Sequence, residues 1–273
     1  MARATRVTII TVLSLLWLAP TYLLIVNAFK SPGGFSLDTL WQPAGGGFSF
    51  FSNLSAAWHT SGFGTPNLLN SILYALGAPA IAVLLAALAG FAIVVLRVPF
   101  GSGWFMLIFG GTILPLQMLA VPLFLGYGRT HLYDTQSGLL LAYAAVAIPF
   151  AMFVMRNYFG QISRSIYEAA TMDGATRLGI FFKIYIPMSW NALTAVFVLQ
   201  FTFVWNDLFL ALSLSTSTGA QGLTPALAGL QSSYGGTSYP VALAASLAVA
   251  LPTVLLFVLG QRFFTAGLAL EQS

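Results

Sequence analysis

Six long stretches of the sequence contain no charged residue. They cover residues 7–29, 39–96, 98–128, 135–155, 184–206 and 208–261. A helix needs about 20 apolar residues to cross a bilayer, so each stretch is long enough for at least one crossing. Only 6% of the 273 residues are charged, against roughly 25% in a soluble domain. The sequence therefore predicts an all-α integral membrane protein, because the alternating pattern of a transmembrane barrel is absent.

The apolar stretches predict one transmembrane domain over residues 1–273 with six helical spans. We place these spans near 7–28, 68–96, 102–125, 138–158, 189–213 and 239–261. The first apolar run exceeds the usual 7–15-residue core of a signal peptide, which favours a retained span. The connecting segment 29–66 is rich in Gly, Ser and Phe and is predicted to be an irregular, partly amphipathic cap, whereas 126–137 and 214–238 are predicted to be short polar loops.

Lysine and arginine are distributed unequally between the two sides that these spans define. One side receives eight of them, at Arg3, Arg6, Arg97, Arg156, Arg164, Arg177, Lys183 and Arg262. The other side receives Lys30 and Arg129. Since basic residues accumulate in cytoplasmic loops, we predict that both termini, the 97–101 turn and the loop 159–188 are cytoplasmic.

The loop 159–188 stands out because six of the sixteen charged residues lie within positions 156–183. Each charge at mid-bilayer costs about 2.5–3.5 kcal/mol, so this segment is predicted to remain outside the membrane. Apolar spacing predicts two short helices. The first carries Ile162, Ile166, Ala169, Ala170 and Asp173 on one side and ends at Gly174, and the second carries Leu178, Phe181, Phe182 and Tyr185 and ends at Pro187. The spacing of Arg164–Glu168 and Asp173–Arg177 predicts two ion pairs.

From this pattern alone, the loop is either an interfacial hairpin that joins two spans or a docking surface for another protein. The small residues Ala169 and Ala170 beside Glu168 favour docking, because they let another backbone approach closely.

Candidate functional residues lie within the third and fifth predicted spans. Asp207 is an acid deep in an uncharged region, where ionisable groups are functional candidates. Gln117 and Asn206 are further polar candidates, and Trp205 has an aromatic ring that can stack on a ligand. The alternatives stay open: Asp207 can lock two helices together, and Trp205 can belong to an interfacial aromatic belt.

The sequence offers little support for an ion-coupled secondary transporter or for a membrane enzyme. An ion-coupled secondary transporter needs several buried ionisable groups, and Asp207 alone does not supply them. A membrane enzyme needs a catalytic cluster, and we find no such set, no cysteine and no metal-spaced ligands. We therefore predict a non-enzymatic protein with no catalytic residue and no metal site.

One motif carries a family resemblance. The sequence "EAATMDGATRLGIFFKIYIP" resembles the EAA loop of permease subunits from binding-protein-dependent ABC importers, E-A-A-x-x-D-G-A-x(5)-F-x-x-I-x-x-P. The stretches 70–93, 132–159 and 203–214 resemble the carbohydrate-uptake branch, which includes the smaller permease subunit of the maltose transporter. The similarity extends from about residue 24 to 268, although the Gly-rich part of 29–66 matches little.

This resemblance implies a type I ABC importer fold in a bacterial inner membrane, with the EAA loop as coupling helices. It implies that Glu168 reaches a basic residue of a cytoplasmic ATPase and that Gly174 permits the turn between the helices. The full set of implied coupling residues is Glu168, Ala169, Ala170, Asp173, Gly174, Ala175, Arg177 and Phe181.

The resemblance also implies the partners. They are a second permease subunit, an ATPase dimer that binds ATP and Mg, and an extracytoplasmic or lipid-anchored substrate-binding protein, with membrane lipid around the spans and no nucleic acid. The sequence itself agrees in one respect: the two lysines, Lys30 and Lys183, both follow Phe, so no Gly-Lys-Ser/Thr phosphate loop exists. The implied substrate is a sugar or oligosaccharide. The predicted substrate-pathway residues are then Gln117, Trp205, Asn206 and Asp207, and the Trp205 ring can stack on a sugar. The alternative is glycerol phosphate or its diesters, for which Arg or Lys facing the pathway is expected.

Overall fold

The computed structural model of the chain describes residues 2–45, 48–231 and 237–269, and these ranges contain helices but no strand. The predicted all-α class is confirmed. In chain order the α-helices are α1 (Ala2–Ala28), α2 (Phe50–Trp58), α3 (Thr65–Val94), α4 (Gly101–Gly110), α5 (Leu116–Thr130), α6 (Gln136–Gln161), α7 (Arg164–Met172), α8 (Arg177–Ile180), α9 (Ile186–Met188), α10 (Trp190–Asn206), α11 (Phe209–Leu214), α12 (Leu223–Gln231) and α13 (Tyr239–Ala269). Short 3-10 turns occupy Pro32–Gly34, Leu37–Thr39 and Gly111–Ile113, and a π-helical segment occupies Phe181–Tyr185.

Several helices are long and apolar enough to cross a membrane. Within the described ranges four qualify by themselves, namely Thr5–Ala28, Thr65–Val94, Gln136–Gln161 and Tyr239–Gly260. Two bent pairs qualify if each pair is one span, namely Gly101–Ile113 with Leu116–Thr130, and Arg177–Met188 with Trp190–Asn206. The six predicted spans overlap these four helices and two bent pairs. The fifth span, 189–213, overlaps only the second half of its pair, because Arg177–Met188 belongs to the charged loop.

The third predicted span, 102–125, is a bent pair and not one straight helix. Its two halves meet at 98°. Leu114 adopts an extended conformation, with φ −75° and ψ 123°, and Pro115 follows it. Proline disfavours the helical conformation of the preceding residue because its ring clashes with that residue's backbone, so the helix breaks at Leu114.

The chain divides into two compact units. Unit 1 comprises Met1–Asn67 and Leu223–Pro252, and unit 2 comprises Leu68–Gly222 and Thr253–Ser273. Segments that we predicted to be loops contain helices, since α2 lies within 29–66 and α12 within 214–238.

A buried polar cluster organises the segment 29–66 of unit 1. The Lys30 ammonium group is buried and donates a hydrogen bond to Asn27 Oδ1 at 2.8 Å. The amide of Asn53 donates to the carbonyls of Ala28 and Lys30, at 3.0 Å and 2.7 Å. Buried polar groups are stable only when they are hydrogen-bonded, and these bonds hold the start of the segment in one conformation.

Unit 2 depends on a close approach of α3 and α6. A Cβ atom added at Gly90 of α3 would lie 3.1 Å from the backbone nitrogen of Arg156 in α6. Ala86, Ala87 and Ala151 are fully buried nearby in the same core. Small residues allow two membrane helices to pack backbone against backbone, as α3 and α6 do here.

A carboxylate joins two connecting segments of unit 2. Asp134 Oδ1 accepts hydrogen bonds from the backbone N–H groups of Thr216, at 2.8 Å, and Ser217, at 2.9 Å. Burial acts to raise the pKa of Asp134, but the hydrogen bonds from Ser217 and Thr216 outweigh it and hold the pKa below its usual value. The side chains of Arg3 and Arg262, which we counted in the charge bias, lie outside the described residues.

Candidate functional site

The first half of the charged loop is helix α7, which ends in a glycine-dependent turn. Gly174 has φ +76°, in the left-handed region. Its N–H bonds to the carbonyl of Thr171, and the N–H of Ala175 bonds to the carbonyl of Ala170, each at 3.0 Å. These two bonds form a Schellman motif. An added Cβ at Gly174 would meet nothing within 4 Å, so the backbone angle requires the glycine and the available space does not. The predicted helix end is confirmed.

The second half of the loop begins with a capped helix and continues as a π-helix. Thr176 caps α8 by accepting a hydrogen bond from the N–H of Gly179 at 3.1 Å. The π-helical segment Phe181–Tyr185 follows, and α9 extends one residue beyond the predicted end at Pro187. The chain then bends by 77° at the buried Ser189 before it enters α10.

An aromatic anchor, formed by Phe91, Phe159, Phe181 and Tyr185, attaches the loop to the helices of unit 2. The Phe91 ring of α3 lies 5.3 Å from the Phe181 ring and 5.0 Å from the Tyr185 ring, between centroids. The Phe159 ring of α6 lies 5.6 Å from the Tyr185 ring. All four side chains are buried. The loop is thus held against α3 and α6 by buried aromatic contacts.

In the structure, each of the two predicted apolar stripes contains both buried and exposed residues. In the first, Ala170 is buried but Ala169 is exposed. In the second, Phe181 and Tyr185 point into the core, whereas Leu178 and Phe182 are 65% and 52% exposed. The sequence pattern marks these positions as apolar, but it does not show that they belong to opposite faces.

The exposed face of the loop combines charged, small and large apolar residues. We call it the loop surface and define it as Glu168, Ala169, Met172, Asp173, Gly174, Ala175, Arg177, Leu178 and Phe182, all of which are exposed. Met172, at 87% exposure, is a member that the motif did not indicate. Ala170 and Phe181, which we predicted as coupling residues, are buried and contribute to the anchor and core instead.

One of the two predicted ion pairs is present. Arg164 Nε lies 2.9 Å from Glu168 Oε1, and both side chains are exposed. Such a pair contributes about 0.3–0.5 kcal/mol to helix stability. The prediction of an Asp173–Arg177 pair is wrong, since no such ion pair occurs in the described part of the chain. The left-handed turn at Gly174 separates the two residues, so they do not share a helical face.

The predicted pathway residues occupy different environments. Gln117 is exposed on α5, and Asn206, also exposed, donates a hydrogen bond to the Thr202 carbonyl at 2.8 Å. Trp205 is buried and stacks on Phe201, with 5.6 Å between ring centroids. The ring is therefore covered by protein in this conformation.

Asp207 lies at a break between two helices. α10 ends at Asn206 and α11 begins at Phe209, and both positions fall within the predicted span 189–213. Its Oδ2 atom accepts a hydrogen bond from the Tyr143 hydroxyl of α6 at 3.0 Å and from the Ala211 N–H of α11 at 3.1 Å. Of the two interpretations that the sequence left open, this geometry favours a carboxylate that locks helix packing.

Comparisons with known proteins are consistent with this architecture. Residues 7–266 match the family described as "Binding-protein-dependent transport system inner membrane component". The osmoprotective compounds uptake permease protein of Synechocystis sp. is 30% identical, with 95% of this chain and 88% of that protein covered. The diacetylchitobiose uptake system permease protein of Streptomyces coelicolor is 29% identical, with 91% and 82% covered. Other relatives are named for transport of trehalose, alpha-glucosides and arabinooligosaccharides.

A solved structure shares the fold. It is a bacterial ABC transporter involved in the import of the acidic polysaccharide alginate, and it matches with a TM-score of 0.80 at 23% identity, covering 96% of this chain and 95% of that one. The family match extends over nearly the whole sequence and includes both the spans and the charged loop. This chain therefore belongs to the family of inner-membrane components of binding-protein-dependent transport systems.

Proposed function

We propose that this chain is the permease subunit of an ATP-driven importer and that the loop surface couples it to a separate ATPase. The observation that carries the proposal is the loop itself, whose exposed face is mounted on a buried aromatic anchor. A surface that transmits force must be accessible to a partner and rigidly attached to the moving helices. The loop surface is exposed, and the anchor attaches it to α3 and α6.

The composition of the loop surface fits a protein partner. Met172, Leu178 and Phe182 expose large apolar side chains on the same loop surface as the charged Glu168. Protein interfaces are enriched in Met and aromatic residues at their centres and are ringed by polar groups. Glu168, presented with Arg164 on α7, is the acid that we assign to a basic residue of the ATPase.

In this proposal the partner ATPase, and not this chain, binds and hydrolyses ATP. The chain has no Gly-Lys-Ser/Thr phosphate loop, so ATP and Mg bind to the ATPase dimer. Closure of that dimer moves the loop, and the anchor passes the movement to the spans. The assembly contains a second permease subunit and a substrate-binding protein, and both termini of this chain face the cytoplasm.

The substrate class that we propose is a sugar or oligosaccharide. Relatives named for diacetylchitobiose, trehalose and alpha-glucoside transport support this class. Glycerol phosphate and its diesters are the alternative, and neither Gln117 nor Asn206 offers the positive charge that a phosphate favours. Alanine substitution of Gln117, Asn206 and Asp207, followed by measurement of uptake affinity, tests whether they line the pathway. Unchanged affinity in all three would remove them from it.

Glu168→Ala tests the coupling role. We expect the ATPase to bind the variant about tenfold or more weakly, since hydrogen bonds to charged groups contribute about 1.5–3 kcal/mol. Substrate-stimulated ATP hydrolysis and uptake should fall with it. Gly174→Asp should have the same effect, because it adds a negatively charged side chain to the loop surface beside Asp173 and strains the left-handed turn.

Asp38→Ala is the matched control, because Asp38 is an exposed acid in the segment 29–66 of unit 1. We expect it to leave ATPase binding unchanged. Normal uptake by both loop variants would refute the coupling role.

A further inference from the structure

A basic cleft lies beside the charged loop, at the ends of α3 and α6 and the start of α4. It consists of two neighbouring cavities of about 480 Å³ and 310 Å³ that share Val94, Arg97 and Gly160 in their walls. Arg156 lines the larger cavity and Arg164 the smaller one. We propose that Arg97 and Arg156 in this cleft bind the phosphate group of an anionic phospholipid from the cytoplasmic leaflet.

Arg156 is positioned for binding but lacks an acidic partner. Its guanidinium group lies 4.3 Å from the centroid of the Phe105 ring. Its Nε atom is buried without a hydrogen-bond partner, and the guanidinium forms no ion pair within the described ranges. Stacking on an aromatic ring restricts the guanidinium plane, so less freedom is lost when an anion binds. Arg156 is therefore a preorganised cation on the wall of a cavity.

Arg97 reaches the same cleft through an unusual backbone conformation. It has φ +52°, in the left-handed region, and lies three residues after Val94, the last residue of α3. A side chain is strained at a positive φ, so glycine is the usual residue in this conformation. Arg97 also forms no ion pair among the described residues. A strained backbone is retained at sites where the side chain has a role, and here that role is to supply a second guanidinium to the cleft.

The surroundings favour a lipid as the source of the phosphate. The cleft lies at helix ends, and its walls include the apolar residues Ile93, Val94 and Val98 beside the two guanidinium groups. The exposed Trp104 of α4 is close in sequence to the wall residue Ser102, and Trp is enriched at the membrane–water interface.

Basic pockets between helices on the cytoplasmic side bind the anionic headgroups of lipids. A single guanidinium group can donate two parallel hydrogen bonds to two oxygens of one phosphate. The cytoplasmic location of the cleft rests on the orientation given under the proposed function. Lipid binding in the cleft does not depend on the coupling mechanism.

Lipid binding to the purified full transporter in detergent tests the inference. Native mass spectrometry would count short-chain phosphatidylglycerol molecules retained during a titration, with phosphatidylcholine and inorganic phosphate in parallel arms. An arginine near an anionic surface contributes about 1 kcal/mol, which corresponds to about fivefold in affinity. We expect Arg97→Gln and Arg156→Gln each to weaken phosphatidylglycerol binding about fivefold, and the double variant about 25-fold.

Arg129→Gln is the matched control, because it removes the same charge at the end of α5, on the side assigned to the cell exterior. We expect it to bind phosphatidylglycerol like the unmodified protein. Equal losses in all three single variants, or no loss in either cleft variant, would overturn the proposal.

Two other outcomes would reassign the cleft. Inorganic phosphate binding as tightly as phosphatidylglycerol would make free phosphate the ligand. Loss of the ATPase from the cleft variants, with lipid binding unchanged, would make the cleft a protein contact. If Arg156→Gln does not fold, Arg97→Gln alone decides the test, since Arg97 is exposed. The readout is binding and not transport, so failure of the coupling proposal would leave this result unaffected.

Discussion

Replacement of Phe181 by alanine is the most direct test of the aromatic anchor. Phe181 is fully buried, and its ring contacts the Phe91 ring of α3 at a centroid distance of 5.3 Å. The neighbouring Phe182 is 52% exposed, although the two rings lie only 4.8 Å apart. The two positions therefore have the same side chain in the same segment and differ in burial.

The expected magnitudes follow from that difference. Deletion of a fully buried Phe ring costs about 3–5 kcal/mol, because apolar contacts are lost and a cavity remains. Deletion of a half-exposed ring forms no enclosed cavity and should cost about 1 kcal/mol. With about 2–4 °C lost per kcal/mol in a chain of this size, Phe181→Ala should lower the unfolding midpoint by roughly 6–20 °C, and Phe182→Ala by no more than about 4 °C.

Thermal unfolding of the purified protein in detergent, followed by intrinsic fluorescence, measures both midpoints under one condition. The comparison rests on the unfolding midpoints, because Phe182 belongs to the loop surface that we propose contacts the ATPase, and its loss can lower uptake by a different route. Equal midpoints for the two variants would refute the idea that the loop is held by burial of Phe181.

Two further predictions concern other features of unit 2. Gly174→Ala should destabilise the loop by about 1–2 kcal/mol, because alanine is strained at the left-handed backbone angle of this position. Gly174→Asn should cost less, because Asn tolerates that angle. A lower thermal midpoint for the Asn variant than for the Ala variant would contradict this reasoning. The pKa of Asp134 is lower in the folded protein than its ordinary value of 3.8, because the charged carboxylate accepts hydrogen bonds from Thr216 and Ser217. These bonds therefore stabilise the fold fully above pH 3.8. Their contribution is lost as the pH falls through the lower folded-state pKa. Unfolding midpoints measured against pH should therefore decline in that acidic range for the unmodified protein, and the decline should be smaller in Asp134→Ala; identical profiles would exclude the link.

The local features of the loop could be read from the sequence. The Gly174 turn and the Arg164–Glu168 pair depend on residues within a few positions of one another, and the structure confirms both. The Asp173–Arg177 pair was predicted by the same spacing rule and is wrong, because the rule assumes an unbroken helix and Gly174 interrupts it.

The break in the third predicted span was also encoded locally, by Leu114 before Pro115. A hydropathy window averages over about twenty residues, so it registers an apolar stretch and not a change in backbone direction. The partners of Asp207 were beyond such reasoning altogether, since the Tyr143 hydroxyl that binds it comes from a different helix, 64 positions earlier in the chain.

The sequence by itself determined that the chain crosses a membrane as helices, where its charged loop lies and which motif that loop contains. Hydropathy, charge and spacing are properties of neighbouring residues and need no knowledge of the fold. Only the tertiary structure decided that Phe181 and Ala170 are buried while Met172 and Phe182 are exposed, and that Arg97 and Arg156 line one cleft. Burial and proximity depend on residues that are distant in sequence, and the packing of α3 against α6 brings those residues together.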